Sequence, residues 1–66
     1  MVPKYPDITV QLTDTDGNAF AVLGKVTQAL RRAGVPEAER QAFTQEATAG
    51  NYDALLQTVM RWVEVI

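Results

Sequence analysis

Residues 51–66 read NYDALLQTVMRWVEVI, and the reading of this stretch decides the fold. Asn51 follows Gly50 and suits a helix N-cap, because its side-chain oxygen can accept from a free N–H of the first turn. The spacing then predicts a helix over 52–62. Tyr52, Leu55, Leu56, Val59, Met60, Trp62 and Val63 fall in one apolar arc, and Asp53, Gln57 and Arg61 form an i, i+4, i+8 row on the polar side. At VEVI the period changes. These residues alternate and are mostly β-branched, which predicts a short strand. A terminal strand needs a partner, and residues 7–12, DITVQL, supply one. Ile8, Val10 and Leu12 share one face there, with Thr9 and Gln11 on the other.

Working inward, residues 13–17, TDTDG, carry turn chemistry. A helix over 18–33 follows, with Gly34 where a C-terminal cap belongs and Arg31 and Arg32 in the last turn. Its apolar arc runs from Ala29 and Val22 through Val26, Ala19, Leu30 and Leu23 to Phe20. That arc is wider than the stripe of an ordinary surface helix, so the helix is either central to the fold or shared with a second subunit. Val35 and Pro36 start another helix, with Glu37 and Glu39 in its first turn. It is expected to run to residue 49 and to end at Gly50, with Phe43 as its one large apolar residue. The expected architecture is a small α+β domain of β-α-α-α-β order, helices packed on a two-stranded ribbon. Residues 1–6 read as an extended arm and 7–66 as the single domain.

A chain of 66 residues with no Cys and no His has room for one domain and no disulfide, thiolate or imidazole metal ligand. A domain of this size buries only about 60% of the surface its unfolded chain exposes. An isolated two-stranded ribbon is also weak, and both its strands have an open edge. Completion by a second copy answers each shortfall, so a homo-oligomer is expected. The net charge of −2 disfavours bulk nucleic acid as a partner, because phosphate contacts dominate such binding. No apolar run approaches a membrane span, and MVPKYPD lacks the apolar core of a signal peptide, so a cytoplasmic protein without membrane contact is expected.

Candidate chemistry is sparse, and each candidate has a plain structural alternative. The run from Asp14 to Asn18 fails as a calcium loop: with Gly17 at the glycine position, the first and last ligand positions would fall on Leu12 and Leu23. Asn18 opens a helix, where free N–H groups suit a phosphate, or is simply its N-cap. Gly24 costs about 1 kcal/mol inside a helix, which points to something approaching the backbone. Arg31 lies beside it on the helical wheel, so a ligand against this face could meet Arg31; helix or subunit packing is the alternative. Asn51, Tyr52 and Asp53 could stack on a base and read its edge, or serve as cap, core aromatic and first-turn acid. Phe43 and Trp62 read first as core, and the Trp62 indole N–H needs an acceptor. No nucleophile–base pair stands out: Glu37 and Glu39, at i and i+2, do not share a helix face. No enzyme activity, cofactor or metal is expected.

The run DGNAFAVLGKVTQALRRAGV, residues 16–35, resembles a group of short bacterial and bacteriophage proteins without an established enzymatic activity. Their pattern is matched at Asp16 to Phe20, Leu23, Gly24, Val26, Ala29 to Arg31, Ala33 and Gly34. It is matched again at Phe43, Glu46, Ala47, Gly50, Tyr52, Asp53, Leu55, Leu56, Thr58, Met60, Trp62 and Val63, and so covers nearly the whole chain. The chain departs at Ala49 and Asn51, where the pattern has Ser and Asp, and at Ala54, where it has His. A ligand contact through position 54 is therefore not carried over.

In size and style the chain is also similar to phage sponges, compact oligomers that sequester the nucleotide signals of bacterial immunity. The similarity implies a non-catalytic homo-oligomer holding a small phosphate-bearing ligand such as a cyclic nucleotide. Arg31, with Lys25 or Arg61, would meet phosphate; Tyr52 would stack; Asn18 and Asp53 would read polar edges; Gly24 would admit close approach. The rival expectations are a phage or plasmid accessory factor that binds a host protein, and a small DNA-associated regulator.

Overall fold

A computed structural model describes residues 2–12 and 18–66. The chain runs β1 (Tyr5–Val10), α1 (Ala19–Arg32), α2 (Glu37–Ala47), α3 (Tyr52–Trp62) and β2 (Val63–Val65). This is the expected β-α-α-α-β order, and the two strands form one parallel ribbon. Parallel neighbours need a long crossover, which the three helices supply. Tyr5 lies opposite Val63, Thr9 opposite Glu64 and Val10 opposite Val65, with an irregularity between Tyr5 and Thr9. Backbone bonds extend the ladder at both ends. Lys4 N donates to Arg61 O at 2.8 Å, Ile66 N to Val10 O at 3.0 Å and Leu12 N to Ile66 O at 3.3 Å.

The first strand differs from its expected bounds. It begins two residues before Asp7 and leaves out Gln11 and Leu12, so Tyr5 and Pro6 belong to the ribbon and not to a free arm. Proline is tolerated there because it sits in an edge strand. Residues 13–17, with the turn and calcium-loop readings made on them, lie outside the described residues.

The helix ends follow from local chemistry. Asn18 Oδ1 accepts from Phe20 N at 2.8 Å, and Asn51 Oδ1 accepts from Ala54 N at 2.9 Å. At the end of α1, Gly34 N donates to Arg31 O and Val35 N to Leu30 O, at 3.1 and 3.0 Å. That pair of bonds is a Schellman motif, and it needs the left-handed φ of 86° that Gly34 adopts. The second helix is shorter than expected. It stops at Ala47, where Thr48 N and Thr48 Oγ1 both donate back to Thr44 O. Gly50 therefore lies beyond the helix end, next to the Asn51 cap.

The core joins all five elements: Val10, Val22, Val26, Leu30, Val35, Phe43, Ala47, Leu55, Val59, Trp62 and Val63. Phe43 is fully buried and meets the Trp62 ring edge-on at 5.5 Å between centroids. Thr58 is buried too, with its hydroxyl donating to Ala54 O at 2.8 Å. The wide arc of α1 is only partly used. Val22, Val26 and Leu30 are buried, but Ala19 lies on the surface and Phe20 is 84% exposed. Within this chain α1 is therefore not central along its whole apolar arc. The arc's Phe20 edge faces outward.

Candidate functional site

Two helix starts flank one cleft. Ala19 and Phe20, from the first turn of α1, stand across it from Asn51 and Tyr52, where α3 begins. The cleft encloses about 210 Å³, floored by Leu23, Ala47 and Leu55. Phe20 projects almost free, and Tyr52 is 40% exposed. Two aromatic faces are thus presented beside the positive ends of two helix dipoles. The caps use part of that potential, since the Asn18 and Asn51 side chains already accept from first-turn N–H groups.

Beyond the cleft, α1 borders α2 along a seam that Thr27 reaches. Phe20, Gly24, Thr27 and Arg31, at i, i+4, i+7 and i+11, fall within about 60° of one another on the α1 wheel. Gly24 is a dent in this ridge. A Cβ built on it would meet no atom within 4 Å, so nothing among the described residues makes the close approach that the glycine suggested. About 10 Å further along the axis, by the helical rise, Thr27 borders a second, polar pocket on α2.

The predicted residues therefore divide. Tyr52 lines the cleft; Asn18, the N-cap of α1, lies outside its lining, as do Gly24 and Arg31, which share the α1 face of Phe20 further along the helix. Asp53 sits beside Tyr52 in the first turn of α3, exposed and outside the cleft lining. Lys25 points roughly 100° away from Gly24 round the α1 wheel and does not face this seam. Arg61 is elsewhere. It pairs with Glu46 at 2.9 Å, donates to Thr58 Oγ1 at 3.3 Å and borders a separate groove with Val2, Lys4, Gln57 and Met60.

One polar constellation had no local signal in the sequence. Glu39 accepts from the Tyr5 hydroxyl at 2.8 Å and pairs with the Lys4 ammonium at 2.6 Å. The same ammonium lies 4.4 Å from the centroid of the Trp62 ring. Hydrogen bonds from Lys4 and then Tyr5 hold the Glu39 carboxyl below its ordinary value. The bond to Glu39 raises both the Lys4 ammonium and the Tyr5 phenol. The Trp62 indole N–H has its expected acceptor, Glu46 Oε2, at 3.4 Å. These contacts pin β1 across α2 and the end of α3. Those made by Lys4 and Tyr5 span more than thirty residues, so no spacing rule could reveal them.

No known protein family, curated protein or solved structure matches this chain. No helix among the described residues is long and apolar enough to cross a membrane.

Proposed function

We propose that this chain is a non-catalytic, homo-oligomeric module that binds and sequesters a small phosphate-bearing ligand, with cyclic nucleotides as the leading class. The observation that carries the reading is the cleft between Phe20 and Tyr52. Phe20 is 84% exposed at the rim of this cleft and so leaves an aromatic face open to a ligand. A flat base would stack against Phe20 or Tyr52, with its phosphate near the helix N-termini or the seam beyond. Gly24 leaves the α1 surface low enough for the ligand to lie along it. Oligomerisation is supported by the ribbon itself. With two strands, both β1 and β2 are edge strands, and Ile66 beside them is exposed.

The test is thermal unfolding against a panel of cyclic mono-, di- and trinucleotides. A ligand at 100 times its dissociation constant adds about 2.7 kcal/mol, which in a domain this small moves Tm by about 10–20 °C. The proposal expects such a rise with at least one member, abolished by Phe20→Ser. A second reading, a module that docks on a host protein, is favoured by the exposed Val2 and Met60 around the Arg61 groove. No nucleotide shift, together with a specific host protein recovered in a pull-down, would establish that reading instead. A steep, salt-dependent DNA affinity would point to a regulator.

A further inference from the structure

We infer that the Phe20 face of α1 pairs with the same face of a second copy, the ring of each copy seating over the partner's Gly24. The inference deepens the functional reading above, on whose homo-oligomer it rests, by placing the second copy beside the candidate site.

Phe20 and Gly24 are complementary features of one helix ridge. Phe20 projects from the first turn of α1, 84% exposed. Above Gly24, an added Cβ would meet nothing among the described residues within 4 Å. One position is a knob without a hole, the other a hole without a knob. At i and i+4 they lie about 6 Å apart along the helix and about 40° apart around it. A two-fold axis crossing the ridge midway between them brings Phe20 of each copy to the partner's Gly24. Two antiparallel α1 helices then meet knob into hole, and the missing Cβ lets their backbones approach closely. The occupant is a second copy because one chain carries both halves of the contact, at the spacing that a two-fold axis requires. The same contact gives the helical glycine the close approach that no described residue of its own chain makes.

The surroundings suit a covered face. None of the nine described residues that line the cleft at Phe20 is charged, although 21% of the chain is. Absence of charge together with aromatic side chains, here Phe20 and Tyr52, is the composition of an interface core. Thr27 follows Gly24 on the ridge and spends its hydroxyl proton on Leu23 O at 2.8 Å, so a partner covering it strands no donor. Arg31 lies about 10 Å beyond Gly24 along the axis, at the polar rim. Because Phe20 also lines the cleft, the pairing sets the partner's α1 beside the ligand site. The partner's ring takes the space over Gly24, and the nucleotide base keeps Tyr52.

The test is sedimentation of the full chain, without ligand, from micromolar to several hundred micromolar protein. The parent should show a monomer–dimer equilibrium. Phe20→Ser and Gly24→Leu should each weaken dimerisation by about a hundredfold, roughly tenfold for each of the two equivalent contacts. Both positions are exposed and Leu is a better helix former than Gly, so the variants stay folded, which far-UV circular dichroism checks. The sharpest variant exchanges knob and hole. Gly24→Phe alone should abolish the dimer, and adding Phe20→Ala should restore it, because under the two-fold axis the ring again faces a small residue. A monomer at every concentration overturns the inference, while a cyclic nucleotide that still raises Tm leaves ligand binding standing. A dimer unmoved by Phe20→Ser and Gly24→Leu, or an exchange variant no better than Gly24→Phe, overturns the pairing. The expected dimer behaviour with no thermal shift from any nucleotide keeps the interface and overturns the sequestering reading.

Discussion

Phe43→Ala is the substitution that the packing makes most costly. Phe43 is the only large apolar side chain of α2, is fully buried, and carries the contact between that helix and Trp62. Truncating a buried Phe to Ala costs about 3–5 kcal/mol, from lost transfer energy and the cavity left behind. A domain of 66 residues has a total stability of about 3–10 kcal/mol. The variant should thus lose about a third of its stability or more, and be substantially unfolded at room temperature where the parent's stability lies at the low end of that range. Urea titration followed by far-UV circular dichroism and by the fluorescence of Trp62, the single tryptophan, measures this directly. The comparison must be made at one protein concentration, because oligomerisation would make stability concentration-dependent. Phe43→Leu keeps most of the volume but loses the edge-to-face pair, and should cost about 1 kcal/mol beyond its lost area. A Phe43→Ala protein that unfolds cooperatively within about 1 kcal/mol of the parent would refute the assignment of α2 to the core through this residue.

Two further outcomes follow from the backbone and from the clasp at Glu39. Gly24→Ala should raise stability by about 0.5–1 kcal/mol, since nothing stands within 4 Å of the added Cβ. The same change should weaken ligand binding if a ligand lies on that face; unchanged binding would remove Gly24 from the site. Gly34→Ala, equally free of contacts but at a φ of 86°, should instead lose about 1–2 kcal/mol, and thermal denaturation of the two variants side by side would show the opposite signs. The Glu39 carboxyl is held below its ordinary 4.5, so the folded state binds fewer protons there than the unfolded state. Its contribution is present above that pH and is lost as acidity carries the pH through the lowered folded value. Lys4 and Tyr5 are raised, so their contributions hold below their ordinary 10.5 and 10.0 and fade as the pH climbs through the raised folded values. Urea midpoints measured across pH should show Glu39→Gln losing less stability on acidification than the parent; parallel profiles would show that the clasp does not contribute.

The parts of this fold that were legible in the sequence are those set by neighbours in the chain. Asn51 and the apolar spacing of Leu55, Val59 and Trp62 placed α3 at its observed bounds, and the change of period at VEVI marked β2. Gly34 marked the end of α1 for the conformational reason that the Schellman turn requires. One misplaced boundary lies where long-range contacts decide. The N-terminal part of β1 is fixed by Lys4 and Tyr5 reaching α2 and the end of α3, 34 residues away in the case of Tyr5 and Glu39. The end of α2 at Ala47, two residues short of the expected 49, is a local matter: Thr48 still bonds back to Thr44 as a helical residue would, so no spacing rule marks the stop. The candidate site divides in the same way. Tyr52 was readable because it sits at a helix start; Asn18 and Gly24 were singled out by local pattern too, but neither lines the cleft. Phe20 looked like core, and only its exposure shows otherwise.

The central proposal is sequestration, in which the chain would hold a phosphate-bearing nucleotide at the Phe20–Tyr52 cleft and release it unchanged. Equilibrium dialysis against the cyclic nucleotide that gives the largest thermal shift, followed by denaturation and chromatography of the released ligand, tests this most directly. The account predicts saturable retention, loss of retention in Phe20→Ser, and recovery of chemically intact nucleotide after prolonged incubation. Recovery of a hydrolysed product would contradict the non-catalytic reading. The absence of retention for every cyclic nucleotide tried would contradict the binding function itself.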